Sequence, residues 1–290
     1  MPKTPTSRRR KPAAKPSPRK KRPALTARTA DRYALYQGSV QDPDSELEFL
    51  EKVCRERKRP CPTLIREDFC GTAYIAATWV KRRQGNRAIG VDLHRDTVLV
   101  QSRRNTKDLT DEQRSRLTLL CDNVLSPRLV SGPKVEAVLA LNFSYWVFKQ
   151  REAMLDYFRK VRRALRPGGV FILDHLGGSD VQVEMRERTR FAGFTYVWDQ
   201  AKYDPISGDY LCRIHFEFRD GTRLTNAFTY HWRMWSMPEL RDILHEAGFG
   251  NVAVYWEGDD GKGGGNGVFR AKAHGEACRS HVSYLVASVR

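Results

Sequence analysis

The stretch Arg66-Glu67-Asp68-Phe69-Cys70-Gly71-Thr72-Ala73 decides how this sequence is interpreted. It follows the short aliphatic run 63–65 and precedes a run with helical spacing that extends to about residue 83. A strand that turns sharply into a helix is the repeating unit of parallel α/β sheets, where ligands bind beyond the carboxyl ends of the strands. The quoted residues are therefore predicted to form a ligand-binding turn.

Four further strands of the same kind are predicted along the chain. They cover residues 88–92, 117–121, 135–141 and 170–174, with helices near 44–58, 73–83, 95–105 and 150–166. Ser45 and Glu48 have the spacing of a capping box and are predicted to begin the first of these helices. This alternation predicts an α/β fold with a doubly wound, Rossmann-like sheet that has helices on both faces.

Residues 176–235 break the alternation. Three aromatic-rich and β-branched runs, 194–198, 210–218 and 223–230, predict an inserted antiparallel β lid, with Asp220-Gly221 as a two-residue hairpin turn. Ser236 and Glu239 then predict a capped helix, and strands near 252–256 and 282–289 flank a glycine-rich loop at 259–267. The predicted domains are a tail (1–30), a donor-binding core (31–175), the lid (176–235) and a C-terminal segment (236–290) that completes the core sheet.

Positive charge is concentrated at the N-terminus. The chain has 51 Lys and Arg against 34 Asp and Glu, a net charge of +17, and residues 1–30 hold eleven of the basic residues and no acid. This proline-rich segment has too few apolar side chains to bury and is predicted to be disordered. Two interpretations stay open: an arm that contacts nucleic acid or an acidic surface, and a solubilising tail with no defined partner.

Composition excludes other classes of protein. No apolar run approaches the roughly 20 residues that span a bilayer, and basic residues and prolines interrupt the start where a signal peptide would lie. A cytoplasmic protein without membrane contact is predicted. The six cysteines and seven histidines are scattered, which predicts no metal site. The pattern indicates no particular oligomeric state.

Polar residues follow each predicted strand of the parallel sheet. Asp92 ends the second strand and lies 21 residues after Gly71, near the offset of about 20 residues at which an acid meets a ribose in nucleoside-binding folds. A structural cap on the following helix is the alternative role for Asp92. The turn keeps only Gly71 of a G-x-G-x-x-G set, which argues against a dinucleotide.

Five of these strand-end motifs carry a resemblance to a known family. They are Phe69-Cys70-Gly71-Thr72-Ala73, Gly90-Val91-Asp92, Cys121-Asp122-Asn123, Leu141-Asn142 and the run 161–169, Val-Arg-Arg-Ala-Leu-Arg-Pro-Gly-Gly. In this order they resemble the motifs of class I S-adenosylmethionine-dependent methyltransferases, over roughly residues 45–290. The resemblance implies a seven-stranded, mostly parallel sheet whose last strand runs antiparallel between strands five and six.

The resemblance also implies a cofactor, S-adenosylmethionine, and residues that bind it. The first loop would hold the methionine part through Glu67, Cys70 and Gly71, and Asp92 would bind the ribose. Asp122 and Asn123 would meet the adenine amino group, and Asn142 would face the reacting methyl group. Phe69 and Ala73 depart from the family pattern, which has glycines there. Arg66 pairs either with the donor's carboxylate or with a surface acid such as Glu46.

Methyl transfer from a sulfonium is an in-line (SN2) displacement that needs a general base only when the acceptor must lose a proton. His175 and Tyr145 are the candidates for this catalytic role, and a structural hydrogen bond is the alternative for His175. Tyr33, Tyr36, Tyr196, Trp198 and Trp232 are predicted to line the acceptor site, with core packing of the inserted sheet as the alternative.

The leading prediction is methyl transfer to nitrogen or oxygen of a small-molecule acceptor under an aromatic lid. A second hypothesis is an RNA or protein methyltransferase that residues 1–30 recruit to its substrate. A third is a catalytically inactive donor-binding fold that acts as an interaction module.

Overall fold

The computed structural model describes residues 25–261 and 264–290, so residues 1–24 of the predicted tail lie outside the described residues. The helices are α1 (Arg32–Val40), α2 (Pro43–Glu56), α3 (Tyr74–Arg82), α4 (Arg103–Thr106), α5 (Asp111–Ser115), α6 (Arg128–Ser131), α7 (Arg151–Ala164) and α8 (Met237–Glu246). The strands are β1 (Leu64–Asp68), β2 (Arg87–Asp92), β3 (Leu117–Cys121), β4 (Val135–Ala140), β5 (Leu165–Gly177), β6 (Met185–Phe191), β7 (Phe194–Tyr203), β8 (Asp209–Phe218), β9 (Arg223–Arg233), β10 (Asn251–Asp259), β11 (Gly265–Lys272) and β12 (His281–Ser288). Short helical turns occupy Thr97–Gln101, Ser144–Val147 and Ser179–Gln182.

The larger sheet has the strand order β11-β10-β12-β5-β4-β1-β2-β3. Strands β1 to β5 pair in parallel, and β12 runs antiparallel between β5 and β10. The predicted doubly wound sheet with an antiparallel last strand is confirmed. Strand β11 pairs antiparallel with β10 and adds an eighth, edge strand. Its glycine-rich start, 265–267, carries no strand pattern, which is why the sequence predicts a loop there.

Helices α2, α3, α7 and α8 cover the two faces of the larger sheet, because each of them presents one apolar side to it. On one face, Leu50 of α2 and Ile65 of β1 belong to a core cluster that α3 completes. On the other face, Phe158 of α7 and Leu240 of α8 pack in the same cluster as Phe171 of β5. The carboxyl ends of the parallel strands stay free of these helices, and the turns that follow them meet the inserted sheet.

Two helix starts were predicted from capping patterns. The start predicted at Ser45 is wrong: the N-cap of α2 is Asp42, whose Oδ1 accepts a hydrogen bond from the Ser45 N–H at 3.3 Å. Pro43 fits the first helical position because its missing N–H would have no partner there. The capping box of Ser236 and Glu239 at the start of α8 is confirmed.

The smaller sheet is inserted in the chain between β5 and α8. It is antiparallel, with the strand order β6-β7-β8-β9. The predicted inserted sheet is confirmed, but β6 was missed because its run Met-Arg-Glu-Arg-Thr-Arg-Phe lacks alternating apolar residues. The predicted two-residue turn is wrong by one residue. Phe218 N–H donates to the Thr222 carbonyl at 2.9 Å and closes a three-residue loop, in which Gly221 has φ 82°.

Helix α1 and the turn before it pack on the smaller sheet. Leu35 is buried in a cluster with Ile214 and Phe216, and the Ala27 N–H donates to Thr222 Oγ1 at 2.9 Å. Residues 25–30, which the sequence analysis assigns to the tail, therefore lie against the smaller sheet. Helix α1 begins at a side-chain cap, since Asp31 Oδ1 accepts from two backbone N–H groups of its first turn.

Across residues 25–261 and 264–290, every helix is too short or too polar to cross a membrane. Within the same ranges, no three His, Cys, Asp or Glu side chains are grouped so as to hold a metal ion.

Candidate active site

A cavity of about 900 Å³ lies where the turns after β1 to β4 face α1 and β9. The turns contribute Phe69, Cys70, Gly71, Thr72, Asp92, Asp122, Asn123 and Asn142 to its wall. Helix α1, the residue after it and β9 contribute Tyr33, Tyr36, Gln37, Gln41, Phe228, Tyr230, His231 and Trp232. The structure thus brings together, at one cavity, residues predicted to bind the donor and residues predicted to line the acceptor site.

The 69–73 turn joins β1 to α3 through three residues in the left-handed conformation. Phe69 has φ 57°, Gly71 φ 52° and Ala73 φ 55°. Only a glycine adopts this conformation without strain. A Cβ added at Gly71 would meet nothing within 4 Å, so the turn is open towards the cavity at this residue.

The same turn is anchored to the neighbouring strand β2. The Cys70 N–H donates to the Val91 carbonyl at 2.9 Å. A Cβ added at Gly90 would lie 3.0 Å from Cys70 Sγ, so a glycine is needed there for the turn to approach β2 this closely. Cys70 is buried, and burial raises the pKa of its thiol well above the usual value, which leaves it a neutral packing group.

Asp92 ties two turns together at the end of β2. Its Oδ2 accepts from the Gly71 N–H at 2.8 Å, and its Oδ1 accepts from the His94 N–H at 2.8 Å. The half-buried carboxylate lines the cavity and keeps further lone pairs for a ligand. The helical stretch that follows begins at residue 95, and the His94 carbonyl accepts from the Val98 N–H at 3.0 Å, so Asp92 lies before the N-cap position and does not itself occupy it.

Asp122 and Asn123 lie next to Asp92 at the end of β3 and also line the cavity. The Asn123 N–H donates to Asp122 Oδ1 at 2.8 Å, and the Leu125 N–H donates to Asn123 Oδ1 at 2.9 Å. One carboxylate oxygen and one amide NH₂ group stay available to a ligand. This acceptor and donor pair suits the edge of a nucleobase.

Asn142 lines the cavity in a turn that an acid from the next strand holds in place. Asn142 and Phe143 both have left-handed φ angles, 57° and 54°. The buried carboxylate of Asp174 accepts from the Asn142 N–H at 2.6 Å and from the Phe143 N–H at 2.9 Å. Burial raises the pKa of Asp174 to about 7, even though these hydrogen bonds oppose the shift.

The structure places two predicted donor-binding residues away from the cavity. Arg66 is buried in a two-pronged ion pair with Asp68, with Nε–Oδ1 at 2.7 Å and Nη2–Oδ2 at 2.9 Å, and the Tyr157 hydroxyl donates to the same Asp68. Glu67 points to the opposite face of β1 and accepts from the Ala76 N–H at 2.8 Å. Burial raises the pKa of Glu67 to about 8. Both residues hold neighbouring helices and do not line the site, contrary to the prediction.

Neither predicted base reaches the cavity. His175 is buried, with Nε2 3.1 Å from the Trp235 carbonyl, and burial lowers its pKa to about 4. Tyr145 is fully buried, and its hydroxyl donates to the Asp174 carbonyl at 2.7 Å. Successive residues of a strand point to opposite faces, so His175 lies on the far side of the sheet from the Asp174 side chain. The structural alternative for His175 is the one that its contacts support.

The predicted aromatic residues divide into two layers. Tyr33, Tyr36 and Trp232 line the cavity. Trp198 packs 6.3 Å from the Trp232 ring, behind the cavity wall, and Tyr196 packs against Phe216 in the core of the smaller sheet. Core packing is therefore the observed role of Trp198 and Tyr196.

Helix α1 was not predicted from the sequence, and it supplies cavity residues that the sequence analysis missed, Gln37 among them. Gln37 Nε2 donates to Thr72 Oγ1 at 2.7 Å, and the hydroxyls of Tyr33 and Thr97 lie 3.3 Å apart. Asp31 at its N-cap also pairs with Arg104, with Oδ2 and Nη2 2.6 Å apart. The Asp31 cap followed by the apolar spacing of Leu35 was the available signal for this helix.

A family model described as a methyltransferase domain matches residues 70–171, which span β2 to β5 and most of the strand-end turns. Residues 70–171 are thus similar to a methyltransferase domain. No curated protein matches the sequence.

Solved structures of methyltransferases share the fold of this chain over nearly its whole length. DesVI from Streptomyces venezuelae is 19% identical, with a TM-score of 0.63, and the match covers 90% of this chain and 98% of DesVI. An S-adenosylmethionine-dependent methyltransferase from Clostridium acetobutylicum ATCC 824 is 15% identical, with a TM-score of 0.62, covering 89% and 97%. CalS10 from Micromonospora echinaspora is 16% identical, with a TM-score of 0.59, covering 89% and 96%. The predicted class I methyltransferase fold is confirmed.

Proposed function

We propose that the protein transfers a methyl group from S-adenosylmethionine to nitrogen or oxygen of a small-molecule acceptor. The observation that carries this proposal is the Asp92 carboxylate, fixed by Gly71 and His94 at the mouth of the 69–73 turn. It lies in a cavity of about 900 Å³ that the aromatic residues of α1 and β9 cover. A cavity of this size accommodates two small ligands side by side.

The residues of the cavity fit this donor. Gly71 leaves open space where a side chain would stand, and Asp92 offers carboxylate lone pairs suited to two ribose hydroxyls. Asp122 and Asn123 present an acceptor and a donor one strand further along, as an adenine edge requires. Cys70 and Gly71 would hold the amino-acid part, and Asn142 would lie on the side of the reacting group. The turn has no stack of glycines for a pyrophosphate.

When bound, S-adenosylmethionine supplies a methyl group that is activated for displacement by the positive charge on its sulfur. The chain's own contribution is to align the acceptor with that group and to exclude water. Asp174 fixes the Asn142 turn, and Gln37 fastens α1 to Thr72 of the 69–73 turn. Both contacts position the cavity wall, and neither one makes Asp174 or Gln37 a base for the acceptor.

Support for a small acceptor comes from the cover of the cavity, which is formed by aromatic residues of α1 and β9. Tyr36 and Tyr230 line the cavity with their hydroxyls close together, and burial raises the pKa of both, so both are neutral donors and acceptors. The rings of Phe228 and Trp232 add apolar surface. Among the structural neighbours, CalS10 is described as an amino pentose methyltransferase with S-adenosylmethionine bound. Its acceptor, a small polar ring, is of the kind that these neutral hydroxyls and aromatic faces suit.

Calorimetric titration with S-adenosylmethionine tests the donor, and methyl transfer from labelled donor to a panel of small amines and alcohols tests the acceptor class. Binding together with transfer to at least one panel member is expected. Absence of donor binding would refute the proposal and leave the inactive interaction module. Transfer only to RNA or protein, lost when residues 1–24 are removed, would favour the recruited-substrate hypothesis.

A further inference from the structure

Strand β9 bulges where it lines the cavity. Between two regular pairs of the β8–β9 ladder, β8 has one residue, His215, and β9 has three, residues 225–227. Residues of a bulge leave the regular ladder of backbone hydrogen bonds, so their N–H groups need other partners. Asn226, in the middle of the bulge, has a left-handed φ of 50°. Asn226 and Ala227 both belong to the cavity wall, so the shape of the bulge is part of the shape of the cavity.

The side chain of His215 supplies a hydrogen-bond partner to the bulge. The Asn226 N–H donates to His215 Nδ1 at 2.9 Å. Since a backbone N–H can only donate, this ring nitrogen carries a lone pair, and the imidazole is neutral with its proton on Nε2. Nε2 lies 3.0 Å from Asp199 Oδ2 and donates to it. Two hydrogen bonds in series therefore connect Asp199 of β7, through His215, to the cavity wall.

Asp199 is held in place as a buried, ionised carboxylate. Its Oδ1 accepts from Arg186 Nε at 3.0 Å and its Oδ2 from Arg186 Nη2 at 3.2 Å, while Arg213 Nη1 lies 3.9 Å from Oδ2. Burial would raise the pKa of Asp199, but the hydrogen bonds from Arg186 and His215 outweigh burial, and the pKa is lowered. An ionised carboxylate can only accept, so Asp199 fixes the tautomer of His215 that the Asn226 N–H requires.

We propose that His215, fixed in this tautomer by Asp199, positions Asn226 to bind a polar group of the acceptor. The inference rests on the proposed function and assigns a specificity contact within its acceptor site. Asn226 is exposed in the cavity wall, and in the described part of the chain no residue pairs with its side-chain amide. That amide offers both a donor and an acceptor to a ligand. His215 is a positioning residue, since it acts through Asn226.

The ring ¹⁵N chemical shifts of His215 report its tautomer in the full-length wild-type protein. A protonated Nε2 and an unprotonated Nδ1 are expected. Hydrogen exchange of the Asn226 N–H should be slower by about fivefold or more in the wild type than in His215→Gln, because one hydrogen bond protects it. A His215 ring protonated at Nδ1 would overturn the inference without the need for any variant to fold.

Two substitutions of His215 separate positioning from stability. His215→Asn keeps an acceptor, Oδ1, at the position of Nδ1, while His215→Gln keeps only a group at the position of Nε2. The test acceptor is the amine or alcohol of the panel that the wild type methylates fastest. His215→Gln is expected to raise its KM about fivefold at unchanged kcat, and His215→Asn to keep the KM within about twofold. A purely stabilising role would instead lower kcat through loss of folded enzyme and leave KM unchanged.

His274→Gln is the matched control, because it is the same substitution at an exposed histidine outside the cavity, and it should behave like the wild type. Asp199→Asn is a second variant. Its amide can donate to Nε2 and so move the ring proton to Nδ1, and a KM raised as in His215→Gln is expected.

An unchanged KM in folded His215→Gln or Asp199→Asn, or an equal rise in His215→Asn, would overturn the inference. If the wild type methylates no member of the panel, the proposed function fails, and the contact with the acceptor falls with it.

Discussion

The Asp92 carboxylate holds the Gly71 and His94 backbone amides with its two oxygens, each at 2.8 Å. The side chain that follows β2 therefore fixes the turn that follows β1. An acid at this position both shapes the 69–73 turn and presents charge to whatever the turn binds, so a single substitution affects two functions at once.

Asp92→Asn is expected to weaken S-adenosylmethionine binding by about 10- to 100-fold, the range for loss of a charged hydrogen bond. The amide would oppose one of the two N–H groups with its own NH₂ group, so the turn would also loosen. Calorimetric titration measures the affinity. Asp108→Asn, at an exposed acid outside the cavity, is the control and should bind like the wild type. Unchanged affinity in Asp92→Asn would contradict its placement in the donor site.

Arg66→Met and Asp68→Leu are each expected to lower the free energy of unfolding by about 3–5 kcal/mol, because each leaves its partner charged and buried. The double variant should lose much less than the sum of the two, since no uncompensated charge remains. Urea unfolding of the four proteins measures the coupling. Donor affinity of the folded variants should be unchanged, and a selective loss of affinity in Arg66→Met would restore its predicted role at the donor carboxylate.

The stability of the protein should depend on pH through Glu67. Burial raises its pKa to about 8 in the folded protein from an ordinary value of 4.5, so the unfolded chain ionises first. The contribution of Glu67 to the free energy of unfolding is full below pH 4.5 and falls as pH rises towards 8.

Glu67→Gln removes this titration and keeps an oxygen for the Ala76 N–H. Its unfolding free energy should fall less steeply with pH, by at most about 1.4 kcal/mol per pH unit. Urea unfolding across this interval provides the comparison with wild type. Asp174, whose pKa is raised to about 7, adds slope of the same sign. Parallel profiles of variant and wild type would show that Glu67 is ionised in the folded state.

His175→Phe should leave donor affinity and the rate of methyl transfer within about twofold of wild type, because the ring is buried away from the cavity. Loss of the contact to the Trp235 carbonyl should cost about 1 kcal/mol of stability. Steady-state transfer rates and thermal unfolding are the measurements. A 100-fold loss of turnover in a stably folded variant would show that His175 takes part in the reaction.

Much of this architecture could be predicted from spacing. The 21 residues between Gly71 and Asp92 predicted a nucleoside-binding site, and the strand-end order predicted that Asp122, Asn123 and Asn142 would lie at the same edge, where the structure has all five. These predictions hold because the carboxyl ends of parallel strands converge at one edge whatever the side chains are.

The failures share a physical cause, the direction of side chains within a strand. Arg66 and Asp68 are two residues apart and so lie on the same face of β1, while Glu67 points to the other face. The same alternation separates His175 from Asp174.

Helix α1 touches both halves of the cavity at once. Gln37 bonds Thr72 of the 69–73 turn, while the Tyr36 ring packs 4.9 Å from Phe228 in the cover. Under the proposed function, the donor at the turn and the acceptor beside Phe228 would both contact this helix. The consequence is temporal: the two substrates should add in a fixed order, donor before acceptor, and the spent nucleoside should leave last.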